Sequence, residues 1–236
     1  MSHSEVIPSD WLHYYGQRAA QCQPGMLFDF YQHGVLHPDT PIAQAPMVAM
    51  DFETTGLSVS EAEIVSIGLV PFDLRRIYCA ESKHWVVKPE QEMTEDSIVF
   101  HGITHSEVES APPLESVLDQ VLDAIAGKLV VVHYRYIERA FLNKAVMSIL
   151  KEPVLFPMVD TMQLESIILQ RQQHFWHKLL KKPLPSVRLG HCRSRYNLPH
   201  YDAHNALTDA VATAELLQAQ IAHHFSADHA VKTYWV

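Results

Sequence analysis

The chain has 236 residues, enough to bury one full core, and its 47% hydrophobic and 19% charged content is that of an ordinary globular protein. Eighteen Lys and Arg against 27 Asp and Glu leave a net charge of −9, which argues against a protein that coats long nucleic acid through its overall field. There is no run of eighteen apolar residues, and the N-terminus does not look like a signal peptide, so no membrane role and a cytoplasmic location are expected. Cys22, Cys79 and Cys192 are far apart with no C-x-x-C pair, so neither a disulfide framework nor a thiolate metal site is expected.

In chain order, residues 1–45 read as a helical N-terminal extension. Ser9 or Asp10 can cap a helix carrying Trp11, Leu12, Tyr15, Arg18 and Ala19, which Pro24-Gly25 breaks, and a short helix from Met26 to His33 stops at Gly34. The apolar run from Pro46 to Met50 then meets Asp51-Phe52-Glu53-Thr54-Thr55-Gly56, the pattern of a strand ending in a turn. Strand alternation puts Asp51 and Glu53 on one face with Cβ atoms roughly 6–7 Å apart, where two ionised groups repel unless water or a cation lies between them. A hard divalent ion resolves that conflict, since Mg²⁺ or Mn²⁺ takes oxygen ligands. Alone the pattern is weak, and two solvated acids before a polar turn describe it as well.

Glu63 to Val70 and Lys83 to Val87 extend a meander of strands, and Thr94 to Phe100 is a short helical segment. Pro112 and Pro113 open an amphipathic helix with Leu114, Val117, Leu118, Val121, Leu122 and Ile125 on its buried face, ending at Gly127. Leu129 to Val132 is apolar throughout, as in a strand covered on both faces. A helix over Tyr136 to Leu150, a strand over Val154 to Val159, a helix over Thr161 to Leu180 and a helix over Asn205 to His223 follow. This order predicts an α/β domain over residues 46–225, a mixed five-stranded sheet flanked by helices, with 226–236 as a C-terminal tail.

Two further acids stand where that sheet would place a site. Glu138 lies in the first turn after the buried strand, near the carboxyl edge at which Asp51 and Glu53 emerge; its position also fits an acid stabilised by the helix dipole. His204 and Asp209 are five apart, about 140° on one continuous helix, and could not share a site there. Asn205 as N-cap removes the conflict: the helix starts after it, His204 stays on the preceding loop, and Asp209 falls in the first turn. Asp209 then shares a stripe with Ala206, Ala210, Thr213 and Leu216, where an unpaired carboxylate is costly. A loop histidine is free to act as a general base, and His101, His133, His191 and His200 are further candidates near the edge. Between Ser166 and Tyr201 there is no acid but seven basic residues, Arg171, Lys178, Lys181, Lys182, Arg188, Arg193 and Arg195, which suits contact with a few phosphates or simply a solvated face.

These pieces resemble the DEDDh, or DnaQ-like, 3′-to-5′ exonucleases of the ribonuclease H-like superfamily. Asp51-Phe52-Glu53-Thr54-Thr55-Gly56 looks like the first motif, Leu129 to Leu142 like the second, and His204 to Asp209 with the following Ala-Thr-Ala-Glu-Leu-Leu like the third. Asp160-Thr161 and Phe100-His101-Gly102-Ile103-Thr104 look like family landmarks. The resemblance implies a two-ion phosphodiester hydrolase using Mg²⁺ or Mn²⁺, with Asp51, Glu53, Glu138 and Asp209 as ligands and His204 taking the proton of the attacking water. It also implies that Glu53 and the backbone of Thr54, Thr55, Gly56 and Leu57 receive the terminal 3′-hydroxyl, that Leu57 and Ile103 meet the last bases, and that nucleoside 5′-monophosphates are released. Single-stranded DNA or RNA 3′ ends or short oligonucleotides would be the substrates, with a homodimer or a DNA polymerase as partner.

The second motif departs from the family pattern His-Asn-x-x-Phe-Asp, for the chain has His133-Tyr134-Arg135-Tyr136-Ile137-Glu138. Glutamate keeps the charge on a stem one methylene longer. Tyr134 and Arg135 put an aromatic and a cation where a substrate strand would pass, which points to an alternative, an oligonucleotidase for very short substrates. A non-catalytic nucleic-acid-binding or polymerase-associated domain is the reading from another class, since fold alone does not establish activity.

Overall fold

The computed structural model describes residues 7–90, 103–173, 184–202 and 204–236. Asp10 caps α1 (Trp11–Gln21) by accepting the His13 amide at 3.0 Å, and α2 (Met26–Gln32) follows a left-handed Gly25. Three antiparallel strands come next: β1 (Met47–Thr54), β2 (Ile64–Phe72) and β3 (Lys83–Val86). After α3 (His105–Ser110) and α4 (Leu118–Ile125), β4 (Leu129–Val132) adds parallel to β1 and leads into α5 (Arg135–Leu150). β5 (Met158–Asp160), α6 (Thr161–Gln172), α7 (Leu189–Arg195) and α8 (Ala206–His224) complete the order. The sheet is five-stranded and mixed, in the order β3-β2-β1-β4-β5.

Alternation along β1 divides the core. Val48, Met50 and Phe52 face a layer that includes Phe141 and Leu142 of α5, Val121 and Leu122 of α4, and the aromatic cluster Trp11, Tyr15, Phe30 and Tyr31. Met47 and Ala49 face Ala210, Ala214 and Leu217 of α8. Asp51 and Glu53 continue that second row, so the strand delivers both acids to the side where α8 lies.

The close approach of α8 has a specific cause. Gly68 sits opposite Asp51 in the β1–β2 ladder. A Cβ built on it would lie 2.3 Å from the carbonyl carbon and oxygen of Ala206 and 2.5 Å from the Leu207 nitrogen, so only glycine lets the first turn of α8 rest on the sheet. Replacing Gly68 with Ala is expected to lower unfolding free energy by about 3 kcal/mol and to abolish activity, because the turn carrying Asp209 must lift away. Urea unfolding and a nuclease assay on the same preparation check this; a variant that keeps both properties removes Gly68 as the seat of α8.

The predicted strand over Val154 to Val159 is shorter than expected. Ladder pairing begins only at Met158, because the preceding backbone is satisfied by side chains. Val154 donates to Asn143 Oδ1 at 3.0 Å, and Leu155 donates to the Tyr31 hydroxyl at 3.1 Å. The amphipathic segment after Pro113 begins as a 3-10 turn over Leu114–Ser116 before α4. α6 ends at Gln172, where Gln173 turns to an extended backbone, short of the helix expected to Leu180; residues 174–180 lie outside the described residues, as does the segment expected over Thr94 to Phe100. Neither α7 nor α3 is among the predicted elements; Thr104 and Glu107 close the N-terminus of α3 as a reciprocal capping box.

Residues 226–236 pack onto the domain. Ile42 and Ala43 donate to the carbonyls of His229 and Ala227, Val231 and Tyr234 are buried, and Trp235 pairs with Val159 on the outer side of β5.

Candidate active site

Asp51, Glu53 and Asp209 meet at the carboxyl end of β1, each offering an oxygen within 4.8 Å of the others. Asn205 brings Asp209 there as its spacing requires. Its side chain accepts the Thr208 amide at 3.0 Å and starts α8 at Ala206, leaving His204 on the loop. His204 adopts a left-handed backbone, φ 71°, and its N–H donates to Asp209 Oδ2 at 3.0 Å, so the loop and the first helical turn are joined through the acid itself. The imidazole is exposed.

Glu138 stands outside this group of three, in the first turn of α5, near enough for its charge to act on Asp51. It is buried, and its Oε2 has no hydrogen-bond partner among the described residues. Burial pushes the carboxyl of Asp51 well above the usual range, and the charges of Glu138, Asp209 and Glu53 add to the effect. Burial likewise raises Glu138, with Asp160 contributing, and raises Asp209 against the lowering influence of the His204 amide. Asp51, Glu53 and Asp209 thus crowd their oxygens within 4.8 Å of one another, and the charge of Glu138 acts on Asp51 beside them. The donors are all carboxylate oxygens, and one buried oxygen is left without a proton donor. A hard divalent cation fits that set, which is otherwise an expensive arrangement.

Asp160 fixes the entry of α5. Buried at the end of β5, it accepts the amides of Tyr134 and Arg135 at 3.1 Å each while capping α6 through Met162 at 2.9 Å and Gln163 at 3.2 Å. Two helix N-termini thus share one carboxylate, and the turn bearing Glu138 is held against β5. Tyr134 is left-handed at φ 91°, an uncommon conformation for an aromatic residue, and its side chain is exposed. The Arg135 guanidinium turns back onto Asp160 at 3.3 Å and Gln163, and lies 4.4 Å from the Tyr136 ring centroid.

The remaining candidates fall in different places. Thr54 and Thr55 tie down the turn after β1: Thr54 Oγ1 donates to the Gly56 carbonyl at 2.8 Å, and the Glu63 amide donates to Thr55 Oγ1 at 3.0 Å. Leu57 projects from it, 83% exposed. Ile103 packs against Val65 and Val108, and His101 lies outside the described residues. Both ring nitrogens of His133 are engaged, by Thr161 Oγ1 at 2.8 Å and the Val187 carbonyl at 2.9 Å, and burial lowers its pKa to about 4, so this histidine is a neutral structural link. His191 and His200 line a cavity of about 660 Å³ beside His204 and Asp209, together with exposed Arg188. Two members of the basic stretch are turned inward instead: Arg195 binds buried Glu165 at 2.8 Å, and Arg193 binds Glu215 at 2.7 Å.

The sequence profile of the RNase T exonuclease family matches residues 48–217, a span that begins in β1 and ends in α8 and so includes all four acids and His204. The chain belongs to this exonuclease family. The DNA polymerase III subunit epsilon of Treponema pallidum (strain Nichols) is 28% identical over 179 residues, 75% of this chain and 76% of that one. The PolC-type DNA polymerase III of Thermotoga maritima is 28% identical over 181 residues; the match takes in 77% of this chain and 12% of the polymerase. Among solved structures, the nuclease domain of 3′hExo, a DEDDh family member bound to rAMP, superposes with a TM-score of 0.60 at 17% identity, covering 76% of this chain and 93% of that one. Cell-death related nuclease 4 superposes with a TM-score of 0.63 at 20% identity, covering 80% and 67%. The exonuclease domain thus has the ribonuclease H-like, DnaQ-like fold, with two helices added before β1. No helix among its described residues is long and apolar enough to cross a membrane.

Two supports of the exonuclease site escape a reading of the sequence. Gly68 carried a legible signal, a glycine inside an apolar β-branched run, which marks close approach by another backbone. The double duty of Asp160 had none, because the amides it accepts lie some 25 residues away along the chain.

Proposed function

We propose that this domain hydrolyses the terminal phosphodiester of single-stranded or short nucleic acid from the 3′ end and releases nucleoside 5′-monophosphates. The observation that carries the reading is the meeting of Asp51, Glu53 and Asp209 within 4.8 Å at the strand end, with buried Glu138 nearby, its Oε2 without a hydrogen-bond partner among the described residues. Asp51, Glu53, Asp209 and Glu138 would hold Mg²⁺ or Mn²⁺ ions, which when bound supply an activated water and neutralise charge at the leaving oxygen. The chain's own groups do the rest. An imidazole nitrogen of His204 accepts the water's proton as the water oxygen bonds to phosphorus and the bond to the 3′-oxygen breaks. The tied-down turn from Thr54 to Leu57 and the carboxylate of Glu53 receive the terminal 3′-hydroxyl, and Leu57 with Ile103 bears on the last bases. A surface leucine as exposed as Leu57 suits an apolar partner that arrives with substrate.

A 3′-labelled single-stranded oligonucleotide incubated with Mn²⁺ tests the reading. Mononucleotide product appearing before shorter oligomers, and abolished by EDTA, is the expected result; product released first from a 5′ label, or none from either end, overturns it. The alternative of a very short preferred substrate draws on Tyr134, exposed and left-handed at the entry to α5 where a strand would pass. Equal rates per 3′ end on a dinucleotide and a long strand count against that alternative. Association with a DNA polymerase is a further proposal, resting on the likeness to polymerase III epsilon subunits.

A further inference from the structure

The loop that bears His204 is held by a buried residue of α7 whose charge also reaches Asp209. Arg193, near the end of α7, is 4% exposed. Its guanidinium reaches two elements at once. Toward α8 it donates to the Ala212 carbonyl at 2.7 Å and to Glu215 Oε2 at 2.7 Å. Toward the loop it donates to the Pro199 carbonyl at 2.9 Å and stacks 4.5 Å from the centroid of Tyr201, whose hydroxyl returns to Glu215 Oε1 at 2.9 Å. The Leu198 amide also donates to the Arg193 carbonyl at 3.2 Å.

A buried guanidinium is a costly way to join two elements, since desolvation offsets much of the ion pair, and an apolar core of equal volume serves stability as well. What arginine adds is direction: planar donors in a fixed fork set the distance between a loop carbonyl and a helix carbonyl. Three residues beyond Tyr201 stands His204, left-handed and bonded through its own amide to the α8 acid Asp209. The loop is therefore pinned to α8 at both ends, by the Arg193 fork at Pro199 and Tyr201 and by the amide at His204.

We propose that Arg193 is a positioning residue for His204, setting the place of the imidazole relative to the carboxylates of β1 and α8. This rests on the reading of His204 as the proton acceptor, and the test separates the two. Arg193→Met keeps the chain length and removes the fork. The expected result is a fall in kcat of at least tenfold, with KM for the oligonucleotide and Mn²⁺ affinity by titration calorimetry each within twofold of wild type. Arg193→Lys should recover part of the loss. Deuterium exchange should rise over residues 198–205.

Against a His204→Asn background, Arg193→Met should change the residual kcat by less than twofold, because both act through one group. Tyr201→Leu provides a second variant, loosening the loop arm while leaving the contacts of Arg193 with Ala212 and Glu215; it should reproduce the kcat and exchange effects at a smaller size. Equal losses in the two backgrounds, a parallel fall in Mn²⁺ affinity, or unchanged exchange over 198–205 each overturn the proposal. Full activity in His204→Asn overturns the base assignment and with it the catalytic part of the proposal, while the exchange measurement still reports whether Arg193 holds the loop.

Discussion

Asp51→Asn is expected to lose activity by about 10³-fold or more and, in EDTA, to melt higher than wild type. The first half follows from its place, between Glu53 and Asp209 and within the field of Glu138. Removing one carboxylate of an ion site forfeits several kcal/mol of transition-state stabilisation, and about 4 kcal/mol corresponds to 10³ in rate. The second half follows from the same crowding. Without cations, burial and three neighbouring acids raise the carboxyl of Asp51 well above its ordinary value, so the folded state takes up protons that the unfolded chain does not hold.

A raised carboxyl gives stability that is complete below the unfolded value, about pH 4, and is lost as pH rises through the folded value. Glu138 and Asp209 shift the same way. Metal-free protein should therefore become less stable from pH 4 toward neutrality, less steeply in Asp51→Asn, and divalent cations should restore the loss in wild type. Removing one repulsion worth about 1 kcal/mol shifts the midpoint by about 2–4 °C in a domain of this size. Thermal melts with and without EDTA at three pH values decide it; an Asn variant that melts lower in EDTA would show that Asp51 stabilises the fold and was never strained by its neighbours.

His204→Asn should cost about 10²- to 10⁴-fold in kcat, the usual range for a lost general base, while leaving Mn²⁺ affinity within twofold. Asparagine is the informative choice because the position is left-handed at φ 71°, a conformation asparagine tolerates, so the amide bond to Asp209 Oδ2 survives and only the imidazole is lost. A drop in ion affinity as large as the drop in kcat would place His204 among the ligands instead of opposite the water. The two substitutions thus fail in different ways, one through the ion site and one through the proton.

Where the sequence was most informative, the signal was one residue type in an unsuitable place. Asp51 and Glu53 interrupt an apolar run, and Asn205 can begin a helix exactly where His204 and Asp209 need to be separated. Both features depend on neighbours within a few positions. The Val154 to Val159 strand was misjudged because β-branched and apolar residues there are satisfied by Asn143 and Tyr31, contacts that no local pattern encodes. Arg193 and Arg195 looked like part of a solvated basic stretch because composition cannot tell a guanidinium that faces water from one paired with Glu215 or with buried Glu165. Gly68 lay in plain view, yet what it makes room for, the first turn of α8, is some 140 residues later.

The pairing of Trp235 with Val159, and the Val236 amide donating to the Met158 carbonyl at 3.0 Å, have a consequence for assembly. The margin of the sheet beside β5 already has an occupant from its own polypeptide, so it offers no open row of backbone groups as a template for a foreign strand. Lateral growth of the sheet is left to the opposite margin, β3, where Lys83 and His84 are exposed and a lysine discourages such pairing. A partner that added a strand to this sheet would therefore meet the lysine-bearing β3 margin and not β5.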